Sequence, residues 1–340
     1  MTTRILAAGD HFVRPDLLTG ALYDTGLTGL DVAELTLPWP DVPFGPVAEV
    51  DEASGSEDQL IDALAGARVC LTQMAPITRA VLDRCPDLEL VAVGRGGPVN
   101  VNVTAAADRG VTVSNAPGRN ATATAEHTVA LMLAAMRRVP QTHAELAGGV
   151  WRGDYYRYEA VGFELSGATV GLVGYGAIGR LVGRIVRGFG ASVLVHDPYV
   201  RPEELAGEAE VVDLDTLLAS SDVVSLHARL TDGTRGLIGA AQLARMRPGS
   251  VLVNCARGAL ADYDAVLDAL DSGQLFAAGF DVFPVEPVPP GSRLLAHPGV
   301  VMTPHLAGAS RDTAHRAAEI VAGEVARFLR GEPLRHTVQP

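Results

Sequence analysis

Thr169-Val170-Gly171-Leu172-Val173-Gly174-Tyr175-Gly176-Ala177-Ile178-Gly179 reads as an apolar strand, a glycine turn and the first turn of a helix. Each glycine of the G-x-G-x-x-G has its own work. Gly174 permits the tight turn, Gly176 lets the backbone approach a pyrophosphate, and Gly179 lets the helix pack close to the sheet. The helix beginning at Ala177 and Ile178 would then point free N–H groups and a positive dipole end at phosphate. A glycine-rich turn alone is weak evidence for a ligand. Here a strand precedes it, a helix follows, and an acid ends the next strand, Val193-Leu194-Val195-His196-Asp197. A carboxylate at Asp197 suits the adenosine ribose hydroxyls and repels a 2′-phosphate, which favours NAD over NADP; flavin is the weaker alternative. The nearby Arg201 would soften that discrimination.

Strand signals continue on both sides of this turn. From Thr169 onward they are Thr169–Val173, Ser192–His196, Val223–Leu226, Ser250–Asn254, Ala277–Phe280 and Val300–Thr303. That rhythm predicts a six-stranded doubly wound sheet. Before it, Ile5–Ala8, Val69–Thr72, Leu90–Val93 and Val111–Val113 alternate with helical stretches such as Glu57–Leu64 and Arg79–Cys85. Runs apolar on both faces belong to buried parallel sheets. Residues 38–55, rich in Pro, Gly and acid, read as an irregular connection. Ala121–Arg138 is dense in Ala, Leu, Met and Val and predicts one long helix, stopping before Pro140 and buried in a core or against a second subunit. A last helix, from Ser310 to about Leu329, is expected to return to the first part and close a cleft between two domains. The fold class is thus α/β, with two doubly wound parallel sheets.

Composition narrows the function. At 340 residues two domains are expected. A formal charge of −13 argues against nucleic acid and anionic membrane as partners. There is no lysine, so Schiff-base chemistry, a pyridoxal phosphate anchor and a Walker A loop are excluded. Cys70, Cys85 and Cys255 have no C-x-x-C spacing, which fits a reducing cytoplasm. The chain opens without a signal peptide or a membrane-length apolar stretch, so a cytoplasmic location is expected. The histidines lack metal-ligand spacing, and no metal is expected.

Chemistry is signalled at the ends of three strands. Arg257 lies in Asn254-Cys255-Ala256-Arg257-Gly258, Glu286 in Asp281-Val282-Phe283-Pro284-Val285-Glu286-Pro287, and His305 in Thr303-Pro304-His305. Ligands of α/β sheets bind beyond the carboxyl ends of strands, where Arg257, Asp281 and His305 fall. Singly, an arginine is commonly ion-paired, a histidine structural and a glutamate a loop carboxylate. Together they fit hydride transfer to a ketone. Arg257 would polarise the carbonyl and grip a carboxylate. His305 would supply the proton, and Glu286 would hold its other N–H and stabilise the imidazolium. Asp281 is suited to orienting a nicotinamide carboxamide, and His227, just after a strand, to lying near the cofactor.

These segments resemble the D-isomer-specific 2-hydroxyacid dehydrogenase family along nearly the whole chain. The resemblance implies roles for Arg257, Glu286 and His305 as catalytic residues. It implies a cofactor site for NAD at Gly174, Gly176, Ala177, Ile178, Gly179, Asp197, His227, Cys255, Asp281 and Gly308. It implies a substrate domain from residues 1–117 with 307–340 around an NAD domain at 118–306, and a homodimer built through residues 121–147. The substrate would be a small anionic 2-oxo or 2-hydroxy acid. Two departures stand out. The substrate loop, usually like G-R-A-G-V-G-x-D-N, is Gly94-Arg95-Gly96-Gly97-Pro98-Val99-Asn100-Val101-Asn102. Its glycines still offer N–H groups to a carboxylate, while Pro98 removes one donor. The second is the aromatic stretch Trp151–Tyr158, where Tyr155, Tyr156 and Arg157 are expected either to line a neighbouring substrate pocket or to form a dimer contact. The family also includes oxidisers of formate or phosphite and NAD-sensing corepressors, which are the alternatives to a 2-oxo acid reductase.

Overall fold

The computed structural model describes residues 2–205 and 207–340. They form two compact units, residues 1–120 with 309–340, and residues 121–308.

In the first unit five parallel strands lie in the order β2-β1-β3-β4-β5. They are β1 (Thr3–Gly9), β2 (Leu30–Thr36), β3 (Val69–Thr72), β4 (Leu90–Val93) and β5 (Thr112–Ser114). Alternation sends Ile5, Ala7, Val69, Leu71, Leu90 and Ala92 to one face, with the helix Arg311–Leu329 packed there through Ala314, Ala317, Ala318, Val321 and Val325. Leu6, Ala8, Cys70, Val91 and Val93 go to the other face, under Leu60, Val81 and Ala105. Both faces are covered, so these strands carry no polar stripe. β2 pairs only with β1 and is half exposed. The C-terminal helix starts where expected, because the Ser310 hydroxyl accepts the Thr313 N–H at 3.0 Å.

The second unit has seven parallel strands, not six, in the order β12-β11-β10-β9-β6-β7-β8. They are β6 (Thr169–Val173), β7 (Ser192–His196), β8 (Glu210–Val211), β9 (Val223–Leu226), β10 (Ser250–Asn254), β11 (Leu275–Phe280) and β12 (Val300–Met302). The extra strand is the two-residue β8, at the sheet edge beside β7. Strand order reverses between β6 and β9, the position where doubly wound sheets bind nucleotides.

The long apolar helix runs over Ala121–Met136 and lies in this unit's core, with Ala125, Val129, Met132 and Met136 among Val170, Leu172, Val251 and Ala277. It is not continuous to Arg138. Arg138 adopts a left-handed φ of 51°, and a second helix starts at Val139 and runs to Ala147. Pro140 falls in the first turn of that helix, where its missing N–H costs nothing.

Candidate active site

The glycine turn after β6 has the backbone its sequence demands. Gly174 sits at φ +96°, and a Cβ there would lie 2.6 Å from the Ala228 nitrogen. A Cβ on Gly179 would strike the Gly174 carbonyl oxygen. Gly176 is the opposite case: nothing of the chain lies within 4 Å of its would-be Cβ. It is also the N-cap of the helix Ala177–Gly188 and offers no side-chain acceptor to the first-turn N–H groups of that helix. Ala177 is exposed and Ile178 half-buried. The donors, the open face and the dipole end fit a dinucleotide pyrophosphate.

Asp197 closes this end of the site. Its Oδ2 accepts the Tyr175 N–H at 2.7 Å and its Oδ1 the Tyr199 N–H at 2.9 Å. The carboxylate is thereby fixed at the mouth of the glycine turn. Arg201 is occupied elsewhere, with Nε 2.9 Å from Glu204. His227 follows β9 and abuts Gly174. Its Nε2 shares a hydrogen with Ser225 Oγ at 3.0 Å, and burial pushes its pKa down to about 4, so it is neutral at pH 7. Cys255 is buried, and that burial pushes its thiol up to about 12. It is an inert wall and not a nucleophile.

At the ends of β10, β11 and β12 the chemistry gathers. Asn254 shapes the first turn: its Oδ1 accepts the Ala256 N–H at 3.0 Å and its Nδ2 donates to the Arg257 carbonyl at 2.9 Å. The Arg257 side chain is exposed and bonds only its neighbour, Nη1 to the Ala256 carbonyl at 2.7 Å. Among the described residues no carboxylate pairs with it within 4.0 Å. Glu286 accepts the Phe283 N–H through Oε1 at 2.9 Å. Its Oε2 lies 2.7 Å from His305 Nδ1. With Nδ1 donating to this carboxylate, Nε2 is left facing outward on a side chain 54% exposed.

The pair perturbs both partners. The hydrogen bond to Glu286 raises the His305 pKa against the opposing effect of burial, and the charges of Glu286 and Asp281 add to the rise. Burial pushes Glu286 upward, but the hydrogen bonds from His305 and Phe283 outweigh it and hold the carboxyl below its usual range. Arg257 lowers both, so its charge is felt at the pair.

His305 itself stands at a left-handed φ of 54°, a conformation that a non-glycine residue holds only when its surroundings impose it. Asp281 imposes it. This carboxylate is 1% exposed. It accepts the Thr303 hydroxyl at 2.6 Å, the Leu306 N–H at 2.7 Å and the Ala307 N–H at 2.8 Å, gripping the loop on both sides of His305. Three of its roughly four acceptor positions are filled this way. Gly308 follows directly and ends the unit. His127 joins from the long helix, Nε2 to Thr303 Oγ1 at 2.9 Å. Nothing in its sequence context distinguishes it from any core histidine.

The remaining candidates come from other segments. Arg95 is in the first unit, and its guanidinium is spent on Glu52 at 2.7 Å. Gly96 and Gly97 beside it have open space where a Cβ would stand. Tyr155, in the short helix Gly153–Tyr156, donates to Glu145 at 3.1 Å and carries Arg152 over its ring at 4.7 Å. Tyr156 is 95% exposed. Neither these tyrosines nor Arg157 hydrogen-bonds Arg257, Glu286 or His305.

A family profile described as D-isomer specific 2-hydroxyacid dehydrogenase, NAD binding domain, matches residues 129–307. The glyoxylate reductase of Korarchaeum cryptofilum is 39% identical over 285 residues, 83% of this chain and 86% of that one. The D-3-phosphoglycerate dehydrogenase of Mycobacterium tuberculosis is 40% identical over 304 residues, but this chain spans only 57% of its length. Among solved structures, the TT0316 protein from Thermus thermophilus superposes with a TM-score of 0.79 at 33% identity, covering 99% of this chain and 100% of that one. The chain belongs to the D-isomer specific 2-hydroxyacid dehydrogenases, a family of NAD-dependent oxidoreductases, and residues 129–307 form its NAD-binding domain.

Proposed function

We propose that this protein interconverts a small 2-oxo acid and its (2R)-hydroxy acid, with His305 as the acid–base group. The observation that carries the reading is the 2.7 Å contact of Glu286 with His305 Nδ1, which leaves Nε2 outward on a histidine of raised pKa. Gly174, Gly176, Gly179 and the first N–H groups of the helix after them would hold the dinucleotide, with Asp197 at its adenosine ribose. Bound there, NAD(H) supplies or accepts the hydride. Arg257 binds the substrate carboxylate and polarises the adjacent carbonyl through its uncommitted N–H groups. His305 Nε2–H donates a proton to the carbonyl oxygen in reduction and takes it back in oxidation, while Glu286 stabilises the imidazolium. Asp281 keeps the imidazole in place. Asp197 disfavours a 2′-phosphate, and NAD is the preferred dinucleotide.

The exposed side chains of Val139, Leu146, Trp151, Tyr156 and Tyr158 support a homodimer through this stretch. Tyr155, Tyr156 and Arg157 then belong to that contact or to the partner's substrate pocket. No helix among the described residues is long and apolar enough to cross a membrane. The three free cysteines support a cytoplasmic location. The reading is tested by NADH consumption over a panel of 2-oxo acids, with Arg257→Ala as control.

A further inference from the structure

His127 has no part in the chemistry proposed above, yet it is wired to it. It belongs to the helix Ala121–Met136, which lies in the core of the second unit. Its side chain is 26% exposed, with Nε2 2.9 Å from Thr303 Oγ1 and 3.7 Å from Asp281 Oδ1.

The hydrogens on these atoms can be counted. A hydroxyl has one hydrogen to give and lone pairs to accept, while a carboxylate only accepts. Thr303 Oγ1 spends its hydrogen on Asp281 Oδ1 at 2.6 Å. Toward His127 the hydroxyl is therefore an acceptor, and the imidazole must carry a proton on Nε2. With Nε2 bare, Thr303 would have one hydrogen for two acceptors. The order of donors is thus fixed from helix to loop: His127 Nε2–H to Thr303 Oγ1, then Thr303 Oγ1–H to Asp281 Oδ1.

Both residues at the end of this chain are bonded to the backbone around His305. The Thr303 carbonyl accepts the His305 N–H at 2.9 Å, and the Thr303 N–H donates to the Phe280 carbonyl at 3.0 Å. Asp281 accepts the Leu306 and Ala307 N–H groups at 2.7 and 2.8 Å. His305 is held between these two anchors in its left-handed conformation, which needs such support to persist. Without the His127 donor, the Thr303 hydroxyl loses the partner that fixes its rotamer. A support carried on a packed helix is also more exact than one carried on a loop.

We propose that His127 is a positioning residue for the acid–base centre: by donating from Nε2 to Thr303 it locks the Thr303–Asp281 bond and so holds His305 where it meets Glu286. This rests on the reading of His305 as the acid–base group. His127 makes no hydrogen bond to Arg257, Glu286 or His305 and acts only through Thr303 and Asp281. The charges felt at His305 are those of Glu286 and Asp281, which favour the imidazolium, and Arg257, which opposes it. A His305 that drifts from Glu286 loses part of that favourable interaction.

Nitrogen-15 NMR of the cofactor-free protein reads both ends of the chain. Wild-type His127 should carry a proton on Nε2. The His305 resonance, assigned by its absence from His305→Gln, should titrate at lower pH in His127→Leu and in Thr303→Val, closer to the ordinary histidine value. His127→Gln can place an amide N–H where Nε2 stood and should restore the titration. Turnover of a 2-oxo acid should follow the same order. His127→Leu should lower kcat roughly 10- to 100-fold with KM little changed, as misplacement of a reacting group does, and His127→Gln should regain most of it. Combining His127→Leu with Thr303→Val should cost no more than the worse single change. A bare Nε2 on His127, a His305 titration unmoved in His127→Leu, or a glutamine variant no better than the leucine one would overturn the proposal. If His127→Leu does not fold, Thr303→Val decides, because it keeps the side-chain shape and removes only the hydroxyl; an unmoved titration there overturns the proposal equally. If wild type reduces no 2-oxo acid, the acid–base reading has failed, and the His305 titrations still decide the positioning role.

Discussion

Glu286 Oε2 and His305 Nδ1 lie 2.7 Å apart, although the two residues come from loops after different strands. The contact fixes which imidazole nitrogen faces outward and raises the pKa of the ring. Reduction uses the protonated ring, so its rate should fall as pH rises through that raised pKa. Oxidation uses the neutral ring and should rise over the same interval. Glu286→Gln removes the charge that favours the imidazolium and should move both profiles to lower pH. Log kcat/KM against pH in both directions checks this. Profiles that stay in place would show that Glu286 does not tune His305.

Arg257 has no carboxylate partner of its own among the described residues, so little in the fold depends on its charge. Arg257→Ala should lower kcat/KM for any 2-oxo acid by roughly 10²- to 10³-fold. The thermal midpoint should scarcely change, because surface substitutions of this kind stay within about 0.5 kcal/mol. Kinetics and a melting curve on one preparation separate these effects.

Asp281 has a different part to play. Its buried carboxylate accepts three donors that shape the His305 loop. Asp281→Asn replaces one oxygen by an N–H₂ that must face a donor. Unfolding in urea should show a loss of about 2–4 kcal/mol, with activity falling as His305 is released. A variant as stable as wild type would contradict the anchoring role.

The fingerprint glycines should also separate. Gly176 faces open space, so Gly176→Val should leave the cofactor-free protein close to wild-type stability while weakening NADH binding by at least about tenfold, by occupying the pyrophosphate's place. Gly179→Val meets the Gly174 carbonyl and should destabilise the fold itself, by roughly 1–3 kcal/mol or more. NADH fluorescence titration and thermal melts distinguish the two.

Much of this was legible in the sequence because buried parallel strands carry no polar stripe: the runs at Val170, Val193, Val223 and Val251 announce themselves. β2 escaped because its edge position lets Asp31 and Glu34 interrupt the apolar pattern. β8 escaped because two residues have no periodicity. The break between the helices Ala121–Met136 and Val139–Ala147 depends on the left-handed backbone at Arg138, to which side-chain composition is blind. In the site, Arg257, Glu286 and His305 stood out as polar groups just after apolar strands. The grip of Asp281 on both sides of His305 did not, since two of its three donors are backbone N–H groups that every sequence possesses.

The most direct test is NADH-dependent turnover of the 2-oxo acid panel by wild type and His305→Gln, with the NADH dissociation constant measured for both. We predict turnover by wild type and a loss of about 10²- to 10⁴-fold in the variant, with NADH affinity unchanged. Turnover that survives the substitution, or a wild type that binds NADH and reduces no 2-oxo acid, would contradict His305 as the acid–base group of a 2-oxo acid reductase.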